Sequence, residues 1–132
     1  MNPMSMTAGL ATISYLARNP QLYESIGKLG DKVRSNVDRQ FAERGIPTKT
    51  TGMGSLFQIH FLREEGLKVE NAEDKLANTL RQKQSQYHFR LLLNGIFFLP
   101  EHEGAISVVH TERDIEELIE ASGKVADEMP RH

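Results

Sequence analysis

Ser107, His110 and Asp114 are the residue types that a hydroxyl nucleophile, its base and an orienting carboxylate require. In working triads those members come from separate segments fixed by a scaffold. Here they share one short stretch, so His110 beside Thr111 reads as part of a helix start. His60, His88 and His102 show no short metal-ligand spacing among them. With no cysteine in the chain, disulfides and thiolate metal sites are excluded. Lys28, Lys32, Lys49, Lys68, Lys75, Lys83 and Lys124 are potential amine nucleophiles, but most lie on expected helices among other charges and read as solvated. Gly52-Met53-Gly54 has the composition of a tight turn whose backbone geometry demands glycine.

The elements that must position these groups follow from length and pattern. The chain has 132 residues, one domain's worth and enough for one core. Charged residues at 26% and hydrophobic ones at 39% are those of a globular protein in water. A net charge of −2 gives no electrostatic case for nucleic acid or an anionic membrane. No apolar run reaches the roughly 18 residues of a membrane span, and Met1-Asn2-Pro3-Met4 has no basic leader character. A cytoplasmic location is the expectation.

Residues 4–18 read as a first helix with a stripe of Met6, Leu10, Ile13, Leu16 and Ala17. Ala8, Gly9, Ala11 and Ser14 make the rest of its surface small, and Arg18 is its one charge. Such a helix expects protein on more than one side. Asn19 is expected to cap a second helix with Pro20 at its first position. Leu22, Ile26, Leu29, Val33, Val37 and Phe41 form that helix's stripe, and Gly45 its C-terminal cap. Gly27 and Gly30 interrupt it at a cost of about 1 kcal/mol each, which close packing would explain.

Residues 48–51 and 55–62 read as strands around the glycine turn, with Phe57, Ile59 and Phe61 alternating against Leu56, Gln58 and His60. A loop over 63–70 leads to a single third helix over 71–93, carrying Leu76, Leu80, Tyr87 and Leu91 and ended by Asn94-Gly95. Two short strands are expected at 96–99 and 105–109. Thr111 and Asp114 then form a capping box for a helix burying Ile115, Leu118, Ile119, Val125, Ala126 and Met129. The order α-α-β-β-α-β-β-α predicts an α+β layer. Its sheet is small and mostly antiparallel, with three or four strands and helices packed on one face.

Four segments, in order, carry a family resemblance. Asn2-Pro3-Met4-Ser5-Met6-Thr7-Ala8-Gly9-Leu10-Ala11-Thr12 is one, and Gly45-Ile46-Pro47 with residues 51–61 is the second. Gly95-Ile96-Phe97-Phe98-Leu99-Pro100 and Ser107-Val108-Val109-His110-Thr111-Glu112-Arg113-Asp114-Ile115 complete the set. Together they resemble the C-terminal small domain of class III, fold-type I aminotransferases of the glutamate-1-semialdehyde aminomutase type. These enzymes use pyridoxal phosphate.

The resemblance implies that the first helix, residues 1–18, links to and packs on a large domain that holds the cofactor. The full-length family moves an amino group within its substrate to give 5-aminolevulinate, a tetrapyrrole precursor. Its Schiff-base lysine lies in a glycine-rich setting upstream, which none of the lysines here shares. The expectation is therefore a chain that is not catalytic and binds no cofactor alone. Asn2 and Ser5 match positions near the phosphate site. Gly52, Gly54 and Ser55 match a turn near the substrate channel. Glu103 is the nearest equivalent of an acidic residue that approaches the cofactor, but the loop from Leu99 to Ser107 is shorter than the family's. That departure leaves another class III aminotransferase equally open. Expected partners are the missing large domain or an intact homologue. A second copy is also expected, giving a dimer through the exposed apolar helix and sheet surface. A free-standing interaction or dimerisation module is the alternative reading.

Overall fold

The computed structural model describes residues 2–130. Helix α1 spans Pro3–Arg18, opened by the Asn2 side chain accepting from the Met4 N–H at 3.0 Å. Helix α2 follows at Gln21–Ala42. Asn19 does not cap it. Its amide instead donates to the Tyr15 carbonyl at 2.8 Å, closing the end of α1. Two helices within three residues compete for one polar side chain, and the orphan carbonyls of α1 win it.

The C-terminus of α2 is closed by a Schellman motif. Gly45, at φ +70°, lets its N–H reach the Ala42 carbonyl while Ile46 reaches Phe41. The buried Phe41 and Ile46 supply the accompanying apolar contact.

Strands β1 (Thr48–Thr51) and β2 (Leu56–Phe61) form an antiparallel hairpin in which Thr48 faces Phe61 and Thr51 faces Gln58. The third strand, β3, is only Gly104–Ala105, paired antiparallel to Phe57 and Leu56. The sheet order is β1-β2-β3. No strand forms at residues 96–99. Phe98 instead packs edge-on against Phe57 and His88, which draws the backbone away from the sheet edge. The expected strand at 105–109 is cut short where Ser107 to His110 turns back on itself.

The expected single helix over 71–93 is two, α3 (Ala72–Asn78) and α4 (Arg81–Leu93). The break at Thr79 and Leu80 contains no glycine or proline. It is made by the sheet, since Leu80 donates to the Phe61 carbonyl at 2.8 Å and Arg63 to that of Asn78 at 2.9 Å. The Thr79 hydroxyl adds a bond to the Lys75 carbonyl at 2.6 Å, competing with the helical ladder. Helix α5 (Glu112–Glu128) opens with the expected capping box of Thr111 and Asp114. The observed order is α-α-β-β-α-α-β-α, an α+β domain with a three-stranded antiparallel sheet.

Phe41 of α2, Phe61 of β2 and Tyr87 of α4 meet in one aromatic triangle with ring centroids 5.1–5.6 Å apart. All three are fully buried, so α2 and α4 lie on the sheet face that carries Phe57, Ile59 and Phe61. Each such ring is worth roughly 1.5–3 kcal/mol of burial. Helix α5 joins the same layer through Ile115, Leu118 and Val125. Lys32 to Glu112 and Arg44 to Asp127 pair α2 with α5 at both ends. Gly30 is buried because α2 crosses the hairpin turn there, and a Cβ would overlap the Gly54 carbonyl oxygen. Gly27 has no such neighbour, so packing does not explain it.

Candidate functional site

The hairpin turn and the segment leading into β3 meet at one end of the sheet. Gly52 (φ +138°) and Gly54 (φ +57°) shape the turn, and a Cβ on Gly52 would collide with Leu56. The Ser55 carbonyl accepts from the Ile106 N–H at 3.0 Å, just beyond the strand pair of Gly104 and Phe57. Glu103 directly precedes that pair, with an exposed side chain. Gly52, Gly54, Ser55 and Glu103 thus share one edge of the fold. Asn2 and Ser5 do not join them: α1 has no buried residue, and the Asn2 amide is engaged as a helix cap.

Beside this edge lies a polar cluster centred on Glu101. Its backbone sits at φ +63°, an uncommon conformation for a residue with a side chain. Gln58 holds it there by donating to the Glu101 carbonyl at 2.6 Å. The Glu101 carboxylate takes two bonds from Arg81, at 2.6 and 3.1 Å, and that partner keeps it below the ordinary carboxylate range. Lys75 of α3 reaches the Gln58 side-chain oxygen at 3.4 Å. Gln58 was legible as an outward position on β2. The Glu101 conformation had no signature in the sequence, because its partners are Gln58 and Arg81, far away along the chain.

His60 is 1% exposed on the same sheet face as Gln58, with Nε2 sharing a 2.9 Å hydrogen bond with the Thr51 hydroxyl. Burial, reinforced by the nearby Lys75 charge, lowers its pKa to about 4, so it is neutral at pH 7. His88 is also buried, against Tyr87 and Phe98, and burial lowers its pKa too. Ser107 and His110 do touch: Nδ1 of His110 accepts from the Ser107 N–H at 2.9 Å and lies 3.0 Å from its hydroxyl. This is a local exposed turn. Asp114 is committed to the Thr111 N–H and hydroxyl, which hold its pKa low. Among the described residues no cluster of His, Asp and Glu could hold a metal ion.

No protein-family model matches the chain. Individual relatives do. A glutamate-1-semialdehyde 2,1-aminomutase of Thermus thermophilus is 34% identical over 125 residues, 93% of this chain and 28% of its own length. A second glutamate-1-semialdehyde 2,1-aminomutase, from Bacillus subtilis, is 31% identical over 132 residues, 98% of this chain and 29% of its own length. Two solved structures agree in fold over 96% of the chain. One is an omega-transaminase from Sphaerobacter thermophilus, with a TM-score of 0.76 and 27% identity. The other is a transaminase with pyridoxal phosphate bound, with a TM-score of 0.77 and 28% identity. The chain spans just over a quarter of the length of each.

Most lysines of the described residues are paired or exposed, which does not suit the imine that a pyridoxal phosphate enzyme requires. An imine-forming lysine needs an amine poised to lose its proton. Lys28 is paired with Glu24, and Lys32 with Glu112 and Glu116, and both pairings raise the lysine pKa. Lys68 is paired with Glu70. Lys49 and Lys124 are exposed on the surface. The half-buried Lys75 is engaged by the Gln58 side-chain oxygen at 3.4 Å, and the half-buried Lys83 lies on α4 among Arg81, Gln82 and Gln86. No aminotransferase step is therefore assigned to residues of this chain.

Proposed function

We propose that the chain serves as the C-terminal small domain of a class III aminotransferase of the glutamate-1-semialdehyde aminomutase type, working in the cytoplasm. The observation that supports this is the shape of the match, which covers nearly all of this chain and just over a quarter of each relative. In this reading a large domain supplies the Schiff-base lysine, the phosphate cradle and the cofactor. Isomerisation of glutamate-1-semialdehyde to 5-aminolevulinate belongs to the whole enzyme.

The small domain would supply surfaces. Met4, Met6, Leu10 and Ile13 of α1 are 59–80% exposed and would pack on the large domain. Asn2 and Ser5 would approach the phosphate site from the start of that helix. The edge formed by Gly52, Gly54, Ser55 and Glu103 would border the substrate channel. Burial of the apolar α1 surface would also favour a dimer.

The test has two arms. In the first, the 132-residue chain is mixed with pyridoxal phosphate and reduced with borohydride, and the labelled peptides are mapped. Scattered substoichiometric labelling, with turnover no faster than free cofactor, is expected. One dominant labelled lysine with turnover well above that rate would overturn the proposal. In the second, residues 2–130 replace the matching segment of the Thermus relative. A folded chimera that binds cofactor and retains aminomutase turnover is expected, and a folded chimera that does neither counts against it.

A further inference from the structure

A pocket of about 160 Å³ opens between α3, the start of α4 and the Glu101 turn, walled by Ala72, Lys75, Leu76, Thr79, Arg81, Gln84 and Glu101. It is too large for a single water and suits a small organic molecule.

Two side chains in its wall have donors and acceptors free to meet a ligand. Gln84 is 3% exposed as a residue, and its carboxamide is not among the sealed polar atoms of the fold: it lines this pocket with hydrogen-bonding capacity to spare. Lys75 is half-buried, and its three N–H donors find one acceptor, Gln58 Oε1, at 3.4 Å.

The charges decide what would satisfy both groups. Arg81 and Glu101 neutralise one another through their two-point pair, and the ammonium of Lys75 remains. The pocket therefore carries one net positive charge. Helix α4 begins at this wall with no side-chain cap and no acidic residue in its first turn, so its dipole also favours an anion. Ala72 and Leu76 give the remaining wall an apolar character. The positive φ of Glu101 holds one side of the pocket in place through the Gln58 bond.

We infer that this pocket binds a small monocarboxylate, with its oxygens accepting from Lys75 Nζ and the Gln84 amide and its short aliphatic part against Leu76. Binding at this corner stands independently of the proposed aminotransferase role, since it uses none of the residues assigned there. A dianion would leave one charge uncompensated beside Glu101.

The probe is sodium butyrate, titrated into the ¹⁵N-labelled full chain at constant ionic strength, with butyramide and inorganic phosphate as comparisons. The Gln84 side-chain NH₂ signals should shift saturably with butyrate and stay still with butyramide. Lys75→Met should weaken butyrate binding by about tenfold or more, as loss of a charge-assisted bond implies. Gln84→Leu should weaken it as well. Should that buried substitution unfold the chain, Lys75→Met and the Gln84 signals of the unaltered chain decide the matter. Gln84 signals unmoved through a full butyrate titration would overturn the inference. So would an equal response to butyramide or to phosphate, or unchanged affinity in Lys75→Met.

Discussion

Two glycines three residues apart in α2 should respond in opposite directions to the same substitution. Gly27 has open space where a Cβ would be built. Gly27→Ala should therefore realise the ordinary helical advantage of alanine, stabilising by about 0.5–1 kcal/mol. For 132 residues that raises Tm by roughly 2–4 °C. At Gly30 the same methyl would overlap the Gly54 carbonyl oxygen and come within 3.0 Å of its carbon and of Arg34 Nη1.

Neither neighbour yields cheaply. The turn is fixed by the positive φ angles of Gly52 and Gly54. The Arg34 guanidinium donates to the Gly54 and Leu56 carbonyls at 2.9 and 2.6 Å. Overpacking costs about 1–3 kcal/mol and the disturbed bonds about 1 kcal/mol more, against a gain of about 1 kcal/mol from the helix. Gly30→Ala should destabilise by about 1–3 kcal/mol. Urea midpoints at unchanged m-value measure both effects on one helix, so intrinsic propensity cancels in the comparison. A Gly30→Ala midpoint rising as far as that of Gly27→Ala would refute the argument that α2 is pinned to the turn.

The buried pair of Tyr87 and Ser122 should show a second asymmetry. Ser122 donates to the Leu118 carbonyl at 2.8 Å and meets the Tyr87 hydroxyl at 2.9 Å. Tyr87→Phe leaves Ser122 satisfied and should cost about 1 kcal/mol, while Ser122→Ala strands a fully buried hydroxyl and should cost about 1–3 kcal/mol. Equal costs in chemical denaturation would count against this assignment of donor and acceptor. His60 makes the fold acid-sensitive. Its pKa falls from 6.5 to about 4 on folding, so the unfolded chain takes up the proton first. Its contribution is fully present above about pH 6.5 and is lost as the pH falls towards 4, by about 3 kcal/mol in all. His88 acts in the same direction. Urea midpoints measured across that window should fall with acid, and His60→Gln should flatten the slope by about one proton; an unchanged slope would exclude His60 as its source.

Local chemistry wrote several features directly into the sequence. Thr111 and Asp114 start α5 because a hydroxyl and a carboxylate three residues apart satisfy each other's backbone N–H groups. Gly45 ends α2 because it adopts positive φ at no steric cost. The alternation of Phe57, Ile59 and Phe61 fixed which face of β2 is buried. Each of these signals acts within a few residues, so a linear reading captures it. The Gly52-to-Ser55 turn belongs to the same class, and so does the stripe of α2 from Val33 to Phe41.

Tertiary structure decided the features whose partners are distant in the chain. The break between α3 and α4 exists because Leu80 and Arg63 exchange backbone bonds with β2 and the end of α3, where helix propensity alone would continue. Residues 96–99 are apolar enough for a strand, but burying Phe98 against Phe57 and His88 is incompatible with sheet pairing there. The pocket at Lys75, Gln84 and Glu101 joins three segments through Gln58 and Arg81. Sequence order sets hydrogen bonds of short span. Where a backbone group can be satisfied by either its own helix or a neighbouring strand, the packing of the whole chain selects between them.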